Sequence, residues 1–151
     1  MKPLRDAVRA IVVDSDRRVV LMRYASTPPV WATPGGGTEP GETDEQVIRR
    51  ELAEELGLDT FELGPCVWVR EHEFDMQHHR GQRERIHLVR VPSFDPMPRV
   101  DLAAEWVTEF RWWTIEEIEA SDEVFSPRRL GTLLRELLDR GPPAEPLEVG
   151  V

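Results

Sequence analysis

Gly36-Gly37-Thr38-Glu39-Pro40-Gly41-Glu42-Thr43-Asp44-Glu45-Gln46-Val47-Ile48-Arg49-Arg50-Glu51-Leu52-Ala53-Glu54-Glu55-Leu56-Gly57-Leu58 is the stretch that decides how this chain folds. Its second half reads as one helix. Thr43-Asp44-Glu45-Gln46 fits a capping box, in which the Thr hydroxyl accepts from the backbone N–H three residues on and the Gln side chain reaches back. The helix is expected over about 44–56, with Gly57 taking the left-handed position just past its end. Ile48, Leu52 and Leu56 recur every four residues and so form the buried stripe.

The polar side of this helix works against its stability. At 3.6 residues per turn, Glu51, Glu54 and Glu55 fall within an arc of about 100°. Like charges at i,i+4 repel, and Glu54 and Glu55 also sit at the negative end of the helix dipole. A divalent cation reverses the sign of this problem. The donors are all oxygen, with no thiolate or imidazole in the cluster, which favours Mg²⁺ or Mn²⁺ over zinc. The alternative is a solvated acidic helix face.

Strands and helices follow outward from here. Residues 7–13 read as a buried strand, Asp14-Ser15-Asp16 as a turn, and 18–23 as the hairpin partner. Pro28-Pro29, Trp31 and Pro34-Gly35-Gly36-Gly37 read as a loop rich in breakers. Two more strands are expected at 65–71 and 84–92, with a polar hairpin between them. A strand is also expected at Arg111-Trp112-Trp113. Thr114-Ile115-Glu116-Glu117 opens a short helix to about Ala120. Ser126-Pro127 is expected to open a last helix, with Ser at the cap, apolar on Leu130, Leu133, Leu134, Leu137 and Leu138 and stopped by Arg140-Gly141-Pro142. The tail 142–151 reads as extended. Strands alternating with helices imply an α/β fold, a mixed sheet covered by helices, in a single domain spanning 1–151.

Composition bounds the function. The chain has 151 residues, 40% hydrophobic and 32% charged, the balance of a folded domain. The net charge of −10 argues against a nucleic-acid coat or an anionic-membrane binder. It leaves a phosphate substrate open, because a metal ion supplies positive charge locally. No apolar run approaches the ~20 residues of a membrane span, and Met1–Asp6 lacks the apolar run of a signal peptide. The one cysteine, Cys66, excludes an internal disulfide framework and a cysteine zinc site, so a cytoplasmic location is expected.

Residues 36–58 follow the pattern Gly-x5-Glu-x7-Arg-Glu-Leu-x-Glu-Glu-x-Gly-Leu, carried by Gly36, Glu42, Arg50, Glu51, Leu52, Glu54, Glu55, Gly57 and Leu58. This resembles the signature of the Nudix hydrolases, with every fixed position matched. The flanking hairpin, Trp31-x-x-Pro34-Gly35-Gly36 and Arg111-Trp112-Trp113 extend the resemblance over most of the chain. It implies a Nudix-like α/β/α sandwich and Mg²⁺- or Mn²⁺-dependent hydrolysis of a nucleoside diphosphate linked to another moiety: a nucleoside triphosphate, a nucleotide sugar or a dinucleotide. It implies that Glu51, Glu54 and Glu55 ligate the metal with the Gly35 carbonyl, that Arg50 positions a glutamate, and that Glu42 supports it. The base that takes a proton from water comes from the box, as Glu54 or Glu51, or from a loop, as Glu105 or Glu109, with Glu105 favoured on spacing.

Arg23 ends the second strand, where Nudix-like proteins hold a substrate phosphate, and an arginine fork suits phosphate oxygens. Trp31 abuts the glycine loop and is the leading base-stacking candidate, with core packing as its alternative. Arg80, Arg83 and Arg85 read first as exposed hairpin residues. His72, His78, His79 and His87 match no zinc spacing, and Cys66 reads as a small apolar residue. The partner implied is a small nucleotide, and a homodimer is expected because dimers are frequent in such families. Two readings compete with the enzyme. One is a non-catalytic, nucleotide-binding regulatory domain, which would not need all three glutamates. The other is an acidic interaction domain with no response to metal.

Overall fold

Val8, Ile11, Val12 and Val13, and then Val19 and Val20, are β-branched and pack well on a pleated surface. The computed structural model, which describes residues 2–151, folds this region into a hairpin of β1 (Arg5–Val13) and β2 (Val19–Tyr24). Asp14 builds the turn, its carboxylate accepting from the backbone N–H of Asp16 and Arg18 at 3.0 and 2.9 Å. Met1, the first residue of the expected domain, lies outside the described residues.

The two strands pair at Val13 and Val19, then diverge. Two short strands enter the fork. β3 (Val30–Ala32) runs antiparallel to β2, and β4 (Gly35–Gly37) antiparallel to β1. At the crotch the Ala10 N–H donates to the Pro34 carbonyl at 2.9 Å. The segment expected as a breaker-rich loop is therefore strand on both sides of Pro34. Ladder bonds use backbone groups alone, and glycine backbone pairs as well as any other once a partner strand is in place.

The remaining elements are α1 (Asp44–Leu56), β5 (Glu62–Glu73), β6 (Gly81–Arg90), a 3₁₀ turn (Leu102–Glu105), β7 (Val107–Trp113), α2 (Ile115–Ala120), β8 (Val124–Ser126), α3 (Leu130–Arg140) and β9 (Leu147–Glu148). The sheet runs β8-β3-β2-β1-β6-β5-β9, with β7 also on β2 and β4 also on β1. β1 and β6 are parallel along their length, and the other long pairings are antiparallel, so the sheet is mixed.

Alternation along β1 sorts the core into two layers. Val8, Ala10 and Val12 pack with Val47, Ile48, Leu52 and Leu56 of α1. Ile11 and Val13 pack with Trp68, Leu88, Trp113 and the Ile115, Ile118, Leu130 and Leu134 faces of α2 and α3. The result is the expected α/β/α sandwich. Among the described residues no helix is long and apolar enough to cross a membrane.

Two local expectations are corrected. Ser126 does not cap the last helix. It ends β8 opposite Ala32, and its hydroxyl accepts from Arg70 at 2.8 Å, so α3 begins at Leu130 with no side-chain cap. The tail is not merely extended, because Leu147 and Glu148 pair in parallel with Trp68 and Val69 of β5. Both assignments depend on partners far away in sequence.

Leu52 is fully buried between α1 and the sheet, whereas Leu147 is 44% exposed. Leu52→Ala is expected to lower unfolding free energy by roughly 2–5 kcal/mol in urea titrations, and Leu147→Ala by about 0.5 kcal/mol or less. Equal midpoints for the two variants would contradict this placement of the core.

Candidate active site on the glutamate helix

β4 brings a glycine strand against α1. A Cβ on Gly36 would fall 2.7 Å from Cδ of Glu51, closer than a real side-chain carbon comes, so glycine alone lets that carboxylate lie on the strand. The helix is held at both ends. Thr43 Oγ1 accepts from the Gln46 N–H at 3.2 Å, while Gln46 Oε1 accepts from the Thr43 N–H at 2.8 Å. At the other end Gly57, at φ +66°, donates to Ala53 at 3.1 Å. The segment after β6 takes two more free carbonyls: Met97 N–H donates to Leu56 at 2.9 Å and Arg99 N–H to Glu54 at 2.8 Å.

Glu51 and Glu55 are buried and Glu54 is half-buried. The Arg50 guanidinium ties the region together. It donates to both Glu42 oxygens at 2.8 and 2.9 Å, to Glu51 Oε1 at 2.8 Å and to the Gly37 carbonyl at 3.0 Å. The Gly35 N–H donates to Glu55 Oε1 at 2.9 Å. Burial raises the Glu51 carboxyl pKa, against the pull of Arg50 and with the push of Glu54 and Glu105. Burial, then Glu51, pushes Glu55 up to about 8, and Glu105 adds to the shift. The charge of Glu105, in the 3₁₀ turn before β7, thus acts on both buried glutamates.

These residues suit a hard divalent cation in donor type and in charge: three carboxylates on one helix face, two of them buried, with Glu51 pushing against Glu55 and Glu54 against Glu51. Among the described residues no three ligating side chains stand jointly in reach of one ion, because Glu51 is turned to Arg50 and Glu55 to Gly35.

The other expected residues divide. Arg23 Nε meets only carboxylates at the limit of ion pairing, Glu109 at 3.9 Å and Glu123 at 4.0 Å. Glu109 therefore stands by Arg23, whereas Glu105 acts on both buried helix glutamates. Trp31 is 2% exposed, edge-on to Trp113 at 5.1 Å, with its indole N–H donating to Glu123. Its burial corrects the stacking expectation: the ring wedges the fork and offers no free face. Arg80, Arg83 and Arg85 are paired with Glu73, with Glu71, and with Asp6 and Asp44. His87 lies against Asp44 at 3.1 Å.

Residue-by-residue reading missed a buried ion group beside the site. Arg9 Nε lies 3.1 Å from Glu84, Arg70 Nε donates to the same oxygen at 3.2 Å, and Arg9 Nη1 donates to the Thr33 carbonyl at 2.8 Å. Burial alone would raise the Glu84 carboxyl, but Arg9 and Arg70 outweigh it and hold it below the ordinary carboxylate range. The signal was present as charged residues at positions whose strand neighbours Ile11, Ile86 and Leu88 are buried.

A mixed sheet between helices, forked to lay a glycine strand on a glutamate helix, defines the class: a protein of the Nudix fold. The chain belongs to the NUDIX family and is a hydrolase of it, for a family profile described as the NUDIX domain matches residues 3–134. It is similar to an RNA pyrophosphohydrolase of Legionella pneumophila, 30% identical over 84% of this chain and 78% of that one. A Pseudomonas putida RNA pyrophosphohydrolase is 28% identical over 86% and 92%. The solution structure of the E. coli ORF135 protein superposes with a TM-score of 0.62 at 26% identity, covering 95% of this chain and 96% of that one.

Hydrogen bonds from Arg50, then from the Glu39 N–H, hold the Glu42 carboxyl at about 2. In the unfolded chain a glutamate titrates at about 4.3. The stability that this depression confers is complete above the unfolded value and is lost as pH falls towards the folded one. Glu42→Gln is expected to be the less stable protein at pH 7 and to converge on the wild type between about pH 4.3 and about pH 2, read from urea midpoints in a pH series. A gap independent of pH would show that the ionised form of Glu42 is not what Arg50 holds.

Proposed function

We propose that this chain is a Mg²⁺-dependent pyrophosphohydrolase that cleaves a phosphoanhydride bond in a nucleoside diphosphate linked to another moiety. The observation that carries the reading is the burial of Glu51 and Glu55 side by side against Gly35–Gly37, with the nearby arginine shared with Glu42. Such an arrangement costs fold stability unless a cation joins it.

Glu51, Glu54, Glu55 and the Gly35 carbonyl would hold Mg²⁺ or Mn²⁺, which when bound neutralises phosphate oxygens and makes water a better nucleophile. Arg50 fixes Glu51 and keeps the helix face in register with Gly37. Arg23, met among the described residues by no carboxylate closer than 3.9 Å, has its fork available for phosphate oxygens. Glu105 is exposed and is the carboxylate that takes the proton from the attacking water. The relatives named RNA pyrophosphohydrolase are the reason to include an RNA among the substrates to test. The paired state of Arg80, Arg83 and Arg85 leaves no free basic stripe there, which favours a small nucleotide. The regulatory alternative has less support, because it gives no use to three intact glutamates.

The test is phosphate release, coupled to a phosphatase, from nucleoside triphosphates, nucleotide sugars, dinucleotides and a 5′-triphosphorylated RNA oligomer. Hydrolysis that requires Mg²⁺ or Mn²⁺ is expected, with Glu54→Gln lowering kcat/KM by roughly 10²-fold or more, the scale of positioned charged groups in catalysis. Millimolar metal should also raise the wild-type Tm and raise that of Glu54→Gln less. Silence across the panel with no metal effect on Tm would reject the proposal. Glu105→Gln separates the base from the ligands: kcat is expected to fall about 10²–10⁴-fold while the metal-induced Tm rise persists.

A further inference from the structure

The chain has five tryptophans, and four are committed to packing. Trp31, Trp68 and Trp113 are each 2% exposed. Trp112 lies edge-on to Phe94 at 5.4 Å, with the Arg18 guanidinium over its ring. Trp106 is the exception, 72% exposed.

Its position is fixed, not loose. Trp106 closes the 3₁₀ turn at φ +66°, a conformation that bulky side chains rarely adopt. Its N–H donates to Ala103 at 3.1 Å, and its carbonyl accepts from the Ala25 N–H at 2.8 Å. The Asp101 carboxylate caps the turn through the Ala103 N–H at 3.1 Å. Surroundings that over-determine an unfavourable backbone mark functional positions more often than idle ones.

Trp106 also stands where a substrate would end. Glu105, the residue before it, acts electrostatically on Glu51, Glu55 and Tyr24. Tyr24 pairs with Val107, and Arg23 with Glu109, so the ring sits at the end of the β2–β7 pair that carries Arg23. Arg23, suited to phosphates, is thus on the strand whose end Trp106 meets, and Glu105 links the same turn to the glutamates of α1. An aromatic face at the rim of a phosphate site matches the flat, apolar part of a nucleotide. One ring is far smaller than the ~800 Å² per partner that a stable protein interface buries.

We infer that Trp106 is the platform on which the substrate's nucleobase stacks while its phosphates lie between Arg23 and the glutamates of α1. The inference rests on the hydrolase reading of the same site. Because every base has a π-face, the platform confers affinity without choosing among bases.

The experiment compares wild type, Trp106→Ala and Trp106→Phe with Mg²⁺ on a nucleoside triphosphate and on a short 5′-triphosphorylated RNA. Inorganic tripolyphosphate, which has no base, is the competing inhibitor. Trp106→Ala is expected to raise KM about tenfold with kcat changed by less than about twofold, the size and type of effect that loss of one stacking contact produces. Trp106→Phe should recover most of the loss, and inhibition by tripolyphosphate should be unchanged in both variants. A rise confined to the free nucleotide or to the RNA identifies which source the platform serves. An unchanged KM on both, or an equal weakening of tripolyphosphate, overturns the inference. A separate binding arm uses a methylene analogue of the triphosphate and reads tryptophan fluorescence. Quenching in wild type that is absent in Trp106→Phe supports stacking, and identical quenching in the two rejects it. If the wild type hydrolyses nothing, the hydrolase reading fails, and the binding arm alone decides the role of Trp106.

Discussion

The fork between β1 and β2 governs the rest of the molecule. Pairing that stops at Val13 and Val19 leaves two unsatisfied strand edges, and buried backbone groups must find partners. Residues 30–37 supply them, β3 to one edge and β4 to the other, with the Ala10–Pro34 bond at the junction. Trp31 fills the space that the divergence opens, against Trp113. The fork therefore fixes where Gly35–Gly37 lies, and Gly36 fixes how closely Glu51 approaches. A conventional hairpin of full length would pack as well and would hold nothing against α1.

Electrostatics set the helix face apart from ordinary packing. Removing one partner of a buried ion pair costs roughly 3–5 kcal/mol, so buried charge is kept where it is matched or where it serves a ligand. On the far side of β1 the charges are matched, with Glu84 held between Arg9 and Arg70. On the helix side they are not. Arg50 divides its donors between Glu42 and Glu51, and Glu55 is left with one backbone N–H and the field of Arg9. The two groups lie in one molecule under one set of packing constraints. The proposed cation would relieve the helix side, whereas the network is already matched within the chain.

How far the fold could be read from sequence follows from the range of the interactions involved. The limits of α1 were legible to the residue, because its capping box and its glycine terminator are local signals. The assignment of Glu51, Glu54 and Glu55 to one face needed only the helical period. Ser126 and the tail were misread because Arg70 and β5, which capture them, are distant in sequence. The tryptophans show the same limit. Trp31 stands beside the glycine segment in sequence yet is buried, while Trp106 lies in a plain stretch and is exposed. Adjacency in the chain does not report burial. Arg9 and Glu84 were legible in principle, since a charge at an inward strand position requires a partner on the same face.

The segment between β6 and β7 ties the end of α1 to the turn before β7. Free carbonyls at a helix C-terminus require donors, and here Met97 and Arg99 provide them for Leu56 and Glu54. The Arg99 guanidinium adds a pair with Asp59 and a bond to the Gly57 carbonyl. Two residues later Asp101 starts the turn that carries Glu105 and ends on Trp106. The carboxylate suited to take a proton is thus tied, through a few residues of backbone, to the end of the helix whose glutamates would hold the cation. That tie explains how a residue on an exposed turn keeps a defined relation to the buried Glu51 and Glu55. The turn is closed at Trp106 in the left-handed region, and from it Glu105 acts on both Glu51 and Glu55.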